Sequence, residues 1–554
     1  MRHTKLWGTL GIVVVSAFAV LGYFGREIYR QAPPVPQRVI TPSGTILFTG
    51  DDIRNGQNVW QSLGGQEVGS IWGHGAYVAP DWSADWLHRE AVWLLNQWAR
   101  EQHQVSYAEL NEETQAALRV KLKRELRTNT YQAETGDLLV SPVRAEAISA
   151  VGTHYTALFG NTPELAALRD AYALAENAIK DPERQRLLNA FFFWTAWACA
   201  TNRPGATISY TNNWPPEALI DNVPTGAIIV WSVISFVLLL AGIGALTWYF
   251  AVKNHTADDN AHTVPEDDPL RGLTPTPSMQ ATVKYFWVVA ALLVVQVLLG
   301  AVTAHYGVEG SGFYGIPLAQ WLPYAVTRTW HVQLGIFWIA TAWLATGFFV
   351  APAVSGYEPP YQRLGVNFVF VCLLIIVVGS LTGQWLGVQQ RLDLATNFWF
   401  GHQGYEYVDL GRFWQLFLLV GLIVWLILMD RPMRRALQKA DQERDLLIVF
   451  FIASVAIPLF YAAGIMWGTT HQPGSGRILA LVGGAPVGRR VLRSIRDCGH
   501  CLSLQSSGVV ADGDRDPCSL VLHDNLSHRW HHWHLSPSIL HWYSDGYSRT
   551  RSNV

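Results

Sequence analysis

Apolar and polar positions alternate on a coarse scale along this chain. Seven stretches are apolar for long enough to cross a bilayer, which takes about 20 helical residues. They fall at residues 6–24, 223–250, 283–304, 329–352, 364–386, 411–429 and 446–467. Residues 25–222 are polar by comparison, carry charged helical patterns over 107–127 and 163–197, and read as a soluble domain. The first apolar stretch is flanked by Arg2, Lys5 and Arg26. It is longer than a signal-peptide core and has no small-residue cleavage pattern, so residues 1–24 are expected to remain as a membrane anchor. The other six spans define a transmembrane domain over 223–470. The reading is a mainly α, polytopic helical bundle with one soluble domain.

Basic loops orient it. Residues 430–444 hold five Lys or Arg and belong in the cytoplasm. Counting spans back puts Arg2 and Lys5 on the same side, and sends 25–222, 305–328 and 387–410 to the periplasm.

After about Thr470 the pattern stops. Residues 471–554 hold nine Arg and no Lys, six Asp and no Glu, and eight of the 18 His, with no span-length apolar window. Dropping one base lets Gly483–Arg496 encode a string with one His and two Glu, and lets His528–His541 encode a string containing a His-His pair. Two glycines in the second string are forced, because a Trp codon followed by a His codon yields GGC. The tail is therefore expected to be a frame-shifted, disordered segment with few long-range contacts.

Composition narrows the class. Half the residues are hydrophobic, 15% are charged and 25 are Trp, which fits a membrane protein. A net charge of −2 argues against a nucleic-acid partner. Cys199 and Cys372 precede the break and supply no disulfide framework. No Cys-x-x-Cys-His is present, which excludes covalent c-type haem. Cys498-Gly-His-Cys501 has redox spacing but no βαβ pattern around it, and it is assigned no role.

Three sets of residues carry candidate chemistry. His331 begins an apolar helix among Trp330, Phe337 and Trp338; it is either a haem ligand or an interfacial histidine in an aromatic belt. His305 and Glu309 share a face if the helix continues, giving a proton acceptor and a relay; the bland reading is a solvated loop pair beside Gly307 and Gly310. Glu406 lies in a Gly- and aromatic-rich loop; a hard cation favours such carboxylates, but by itself Glu406 reads as a surface carboxylate paired with Arg412. His74 and His402 are read as solvated or capping histidines.

Several long motifs occur in order: His74-Gly-Ala-Tyr-Val-Ala-Pro-Asp-Trp-Ser-Ala-Asp-Trp86, Thr303-Ala-His-Tyr-Gly-Val-Glu309, Arg328-Thr-Trp-His-Val-Gln-Leu-Gly-Ile-Phe-Trp338 and Gly401-His-Gln-Gly-Tyr-Glu-Tyr-Val-Asp-Leu-Gly-Arg-Phe-Trp414. With the hidden His, Glu and His-His strings, they resemble quinol-dependent nitric oxide reductase, of the haem-copper oxidase superfamily. The resemblance covers residues 1 to about 470. It implies a multi-pass protein of the bacterial inner membrane whose periplasmic domain is cytochrome c-like but lacks haem, with no cytochrome c subunit required. It makes His331 an axial ligand of a low-spin haem b, places quinol at His305 and Glu309, and assigns calcium to Glu406, Gly75 and Tyr77. A high-spin haem and a non-haem iron, where nitric oxide is reduced, belong to the missing C-terminal part. The polypeptide as written is thus expected to be inactive. The alternatives are a quinol oxidase reducing oxygen and a truncated membrane protein without catalysis.

Overall fold

The computed structural model describes residues 4–76, 78–255, 272–312, 314–405, 409–438, 444–466 and 468. The tail from 471, Tyr77 and Glu406 lie outside the described residues.

The chain enters through α1, Thr4–Arg30, whose described side chains are mostly exposed. The soluble domain follows with β1 (Arg38–Ile40), β2 (Ile46–Thr49), α2 (Gly50–Ser62), α3 (Trp82–His103), α4 (Glu112–Arg127), β3 (Asp137–Leu139), α5 (Pro142–Phe159), α6 (Ala166–Ala171) and α7 (Pro182–Ala200). Its helices start where short polar side chains cap free backbone N–H groups. Thr49 and Asp52 close a capping box on α2, Asp81 caps α3, Asn111 caps α4, and Ser141 and Asp181 stand before Pro142 and Pro182. The small sheet runs β2-β1-β3, antiparallel then parallel, and Arg38 clasps Asp137 across it with two hydrogen bonds.

Aromatic rings fill the domain core. Trp86 stacks on Tyr155 at 5.3 Å between centroids, and Trp82 stacks on Phe192 at 5.4 Å. Inside this apolar mass Arg144 meets Glu90 at 2.7 Å, both side chains buried, with the Trp86 indole donating to the second carboxylate oxygen. The helical pattern over 163–197 is interrupted between α6 and α7. Ala173 and Asn177 adopt positive φ there, and the backbone turns back onto Phe159 and Gly160.

The membrane part comprises α8 (Gly226–His255), α9 (Pro277–Ala281), α10 (Val283–Glu309), α11 (Leu318–Trp321), α12 (Tyr324–Ser355), α13 (Gln362–Val388), α14 (Leu394–Phe400), α15 (Arg412–Leu437) and α16 (Arg444–Gly464). Six of the described helices are long and apolar enough to cross a membrane, matching the six expected after residue 223. Helices α10, α12, α13, α15 and α16 pack together. Small residues let them approach: a Cβ at Gly365 would meet Leu428 at 2.5 Å, and one at Gly383 would meet the Phe400 carbonyl at 1.8 Å. Helix α8 departs from the expectation of a packed span, with no buried residue between 229 and 252. Its residues are apolar on every side, so lipid solvates it as well as protein would.

Candidate functional site

Helices α10 and α12 form the tightest helix pair of the membrane part, and the candidate residues sit on them. The contact is made possible at Gly300, where a Cβ would lie 2.7 Å from the His331 ring. The imidazole of His331 therefore reaches across the helix boundary, and its Nδ1–H donates to the Gln296 carbonyl at 2.8 Å. Gln296 is held in turn, its side-chain oxygen accepting from the Trp338 indole at 3.1 Å. This fixes the tautomer. With the proton on Nδ1, Nε2 of His331 presents a lone pair, the arrangement that metal-bound histidines use. Such a nitrogen would suit a haem iron. Among the described residues there is no group of three or more His, Cys, Asp or Glu that could hold a further metal.

At the far end of α10 the helix runs on through Glu309 and ends at Gly310, where φ is +73°. His305 and Glu309 thus share a face, Nε2 to Oε2 3.5 Å apart. Nε2 of His305 also bonds the Gly312 carbonyl at 2.8 Å, and its ring stacks on Tyr314. The His305 side chain is nearly covered and Glu309 is open, a histidine with a wetter carboxylate beside it. Asp170 of α6 stands close to Gly310, so the soluble domain overhangs this pair. His305 and His331 are joined through Gly300, which precedes His305 by five residues, about 7.5 Å of helix rise.

The seat of the soluble domain joins Arg328 and Gly404, from the quoted motifs, to residues outside them. Glu67, fully buried, pairs with Arg328 at 2.6 Å, one turn before His331 on α12. Gln66 donates its N–H to the Gly404 carbonyl, while its own carbonyl accepts from Ala76. Gly65 lies so close that a Cβ would sit 2.4 Å from the Gly404 oxygen. Gln390 reaches Ser62 at 2.9 Å, and Arg184 binds both Gln390 and the Leu392 carbonyl. A cavity of about 580 Å³ lies at this junction, between the 173–181 loop, α11 and the end of α13. None of His305, Glu309 and His331 lines it.

His402 is corrected by the structure. It is not solvated but wholly buried, and it caps a neighbouring backbone N–H from inside. Its Nδ1 accepts from the Gly404 N–H at 2.9 Å, and Nε2–H donates to Thr329 at 2.8 Å, tying the 401–405 loop to α12. Burial pushes its pKa down to about 4, with the polar contact to Gln61 opposing in part. Nearby Asp409 is equally buried and accepts from Gln333 at 3.1 Å. The sequence held one signal for this cluster: Arg328, Thr329 and His402 all fall in the quoted motifs. Arg412, read as a partner for Glu406, reaches the Ile465 carbonyl. Of the proposed calcium residues, only Gly75 is described; its φ of +143° suits glycine alone, and a Cβ there would press on Ser70, Gln66 and Gly69.

Two family models match the chain. Residues 36–216 match the cytochrome c-like domain of the NorB chain of nitric oxide reductase. Residues 280–486 match cytochrome c and quinol oxidase polypeptide I. The chain belongs to the NorB-type haem-copper oxidase family. The second match continues past residue 470. Among curated proteins none matches the chain. Membership makes the chain a multi-pass membrane protein of an oxidoreductase family that uses haem.

Proposed function

We propose that the chain is the electron-entry part of a quinol-dependent nitric oxide reductase of the bacterial inner membrane, with its soluble domain in the periplasm. The observation that carries this is the pairing of His305–Glu309 with His331 on one tightly packed helix pair. Oxidation of a quinol to a quinone releases two electrons and two protons. His305, nearly covered beside Glu309, accepts the hydroxyl proton, and the more exposed carboxylate passes it to water. The site lies at the membrane edge, where a lipid-soluble donor arrives from the side. His331 would hold a low-spin haem b, which would supply one-electron chemistry when bound. The Gln296 carbonyl, by taking the proton on Nδ1, keeps the Nε2 of His331 unprotonated, and Gly300 leaves room for the ring.

The net reaction proposed for the intact enzyme combines two nitric oxide molecules, two electrons and two protons into nitrous oxide and water, a step of denitrifying respiration. A calcium site at Glu406, Gly75 and Tyr77 is part of the proposal. Its support is Gln66, which bonds the backbone on both sides, at Gly404 and at Ala76. A high-spin haem and a non-haem iron would be held by residues encoded after the frame break.

The test is nitrous oxide formation from nitric oxide with a reduced quinol. The product of the frame-restored gene is expected to turn over, and the polypeptide as written is not. Steady nitrous oxide production by this exact polypeptide would overturn the truncation. A frame-restored protein that consumes oxygen but no nitric oxide would overturn the reductase assignment in favour of a quinol oxidase.

A further inference from the structure

The membrane face remote from the soluble domain carries a second cavity of about 330 Å³, between the starts of α10 and α13. Gln280, Lys284, Trp287, Arg363 and Asn367 are among the residues lining it, and no acidic side chain is. Lys284 is half-buried, its ammonium held by the Asn367 side chain and lying 4.5 Å over the Phe370 ring. Arg363 is exposed and makes no ion pair among the described residues, and the two cations repel one another. Glu358, the acid nearest Arg363 in the described sequence, is engaged elsewhere, accepting from the Ser278 amide at 3.1 Å. Two cations side by side without a counter-charge among the described residues make a site for an anion.

What lies beyond the cations says which anion. Trp287, one turn along α10 from Lys284, is 74% exposed, the position an interfacial tryptophan takes. The helical face that starts with Lys284 and Trp287 continues through exposed Val294 and Leu298. On α13 the face of Arg363 and Asn367 continues through Val371, Ile375 and Val378, all exposed. A basic pocket therefore opens onto two apolar tracks that run into the bilayer.

We propose that this pocket seats the phosphate of an anionic phospholipid, with the acyl chains lying along α10 and α13. The phosphodiester oxygens accept from Lys284 and Arg363. The amides of Gln280 and Asn367 face the remaining headgroup hydroxyls. A free anion has no use for the apolar tracks, and a zwitterionic lipid brings its own cation to a site already doubly positive.

The test is native mass spectrometry of the full chain, titrated with phosphatidylglycerol and with phosphatidylcholine of matched chains. Retention of phosphatidylglycerol at no less than about ten-fold lower concentration is expected. Each cation near an anionic surface is worth roughly a five-fold change, so Arg363→Gln should lose about five-fold and the double variant Lys284→Gln/Arg363→Gln about 25-fold. Arg363 is exposed, so the single variant keeps the proposal testable if the double one does not insert. Lys284→Arg should retain the preference. Equal retention of the two lipids by the unaltered chain, undiminished binding in Arg363→Gln, or displacement of phosphatidylglycerol by an equal concentration of inorganic phosphate would each overturn it.

Discussion

At the residue scale, the tautomer of His331 decides what it can do. If the proposed frame break is real, His331→Ala in the frame-restored protein is expected to abolish the low-spin haem spectrum while membrane insertion stays intact, read by absorption and membrane fractionation. Gly300→Ala should perturb the same spectrum with the imidazole still present, because its methyl would lie 2.7 Å from the ring. His402 carries a pH prediction. Its folded pKa, about 4, lies below the ordinary histidine value of about 6.5. As pH falls, the unfolded chain takes up the proton first, so stability present above 6.5 is lost between 6.5 and 4. The loss is at most about 3 kcal/mol. Thermal unfolding at pH 7 and pH 4.5 measures it, and His402→Gln should flatten the difference. The His305–Glu309 contact was legible because four-residue spacing on a helix fixes it. The burial of His402 was not, since a histidine in a polar loop looks solvated until α12 and the Gln61 region close over it.

At the scale of elements, length and apolarity made the spans readable, and their ends were not. Apolar periodicity predicted 283–304, but α10 runs to Glu309, because Gly307 does not break a helix that Gly310 ends. The expected helix over 163–197 fails at 172–181, where Ala173 and Asn177 turn left-handed, although alanine is a good helix former; tertiary contacts to α5 override its preference. The sheet escaped notice because its strands are three or four residues long. Close packing between helices gives a further prediction. A Cβ at Gly56 would sit 2.0 Å from the Leu187 carbonyl, so Gly56→Ala should force α2 from α7. The cost is expected at about 1–3 kcal/mol, measured by denaturant unfolding of the full chain.

At the scale of the whole molecule, the soluble domain is joined to the membrane helices by groups far apart in sequence, and no local pattern announces such a pair. Arg328→Ala breaks the ion pair with buried Glu67 at the seat, with a cost of about 3–5 kcal/mol. Limited proteolysis should then open the 401–405 loop, and Glu67→Gln in the same background should recover part of the protection. The remoteness of the partners also sets a schedule. Arg328 lies 261 residues after Glu67, and a ribosome adding about 5–20 residues per second needs about 10–50 s to cover that distance. For that interval the soluble domain stands complete outside the membrane with Glu67 hydrated and its docking face bare, tethered only by α1 and α8. Among the described residues neither helix packs extensively against the bundle, so the finished domain can wait without obstructing insertion of the helices that will receive it.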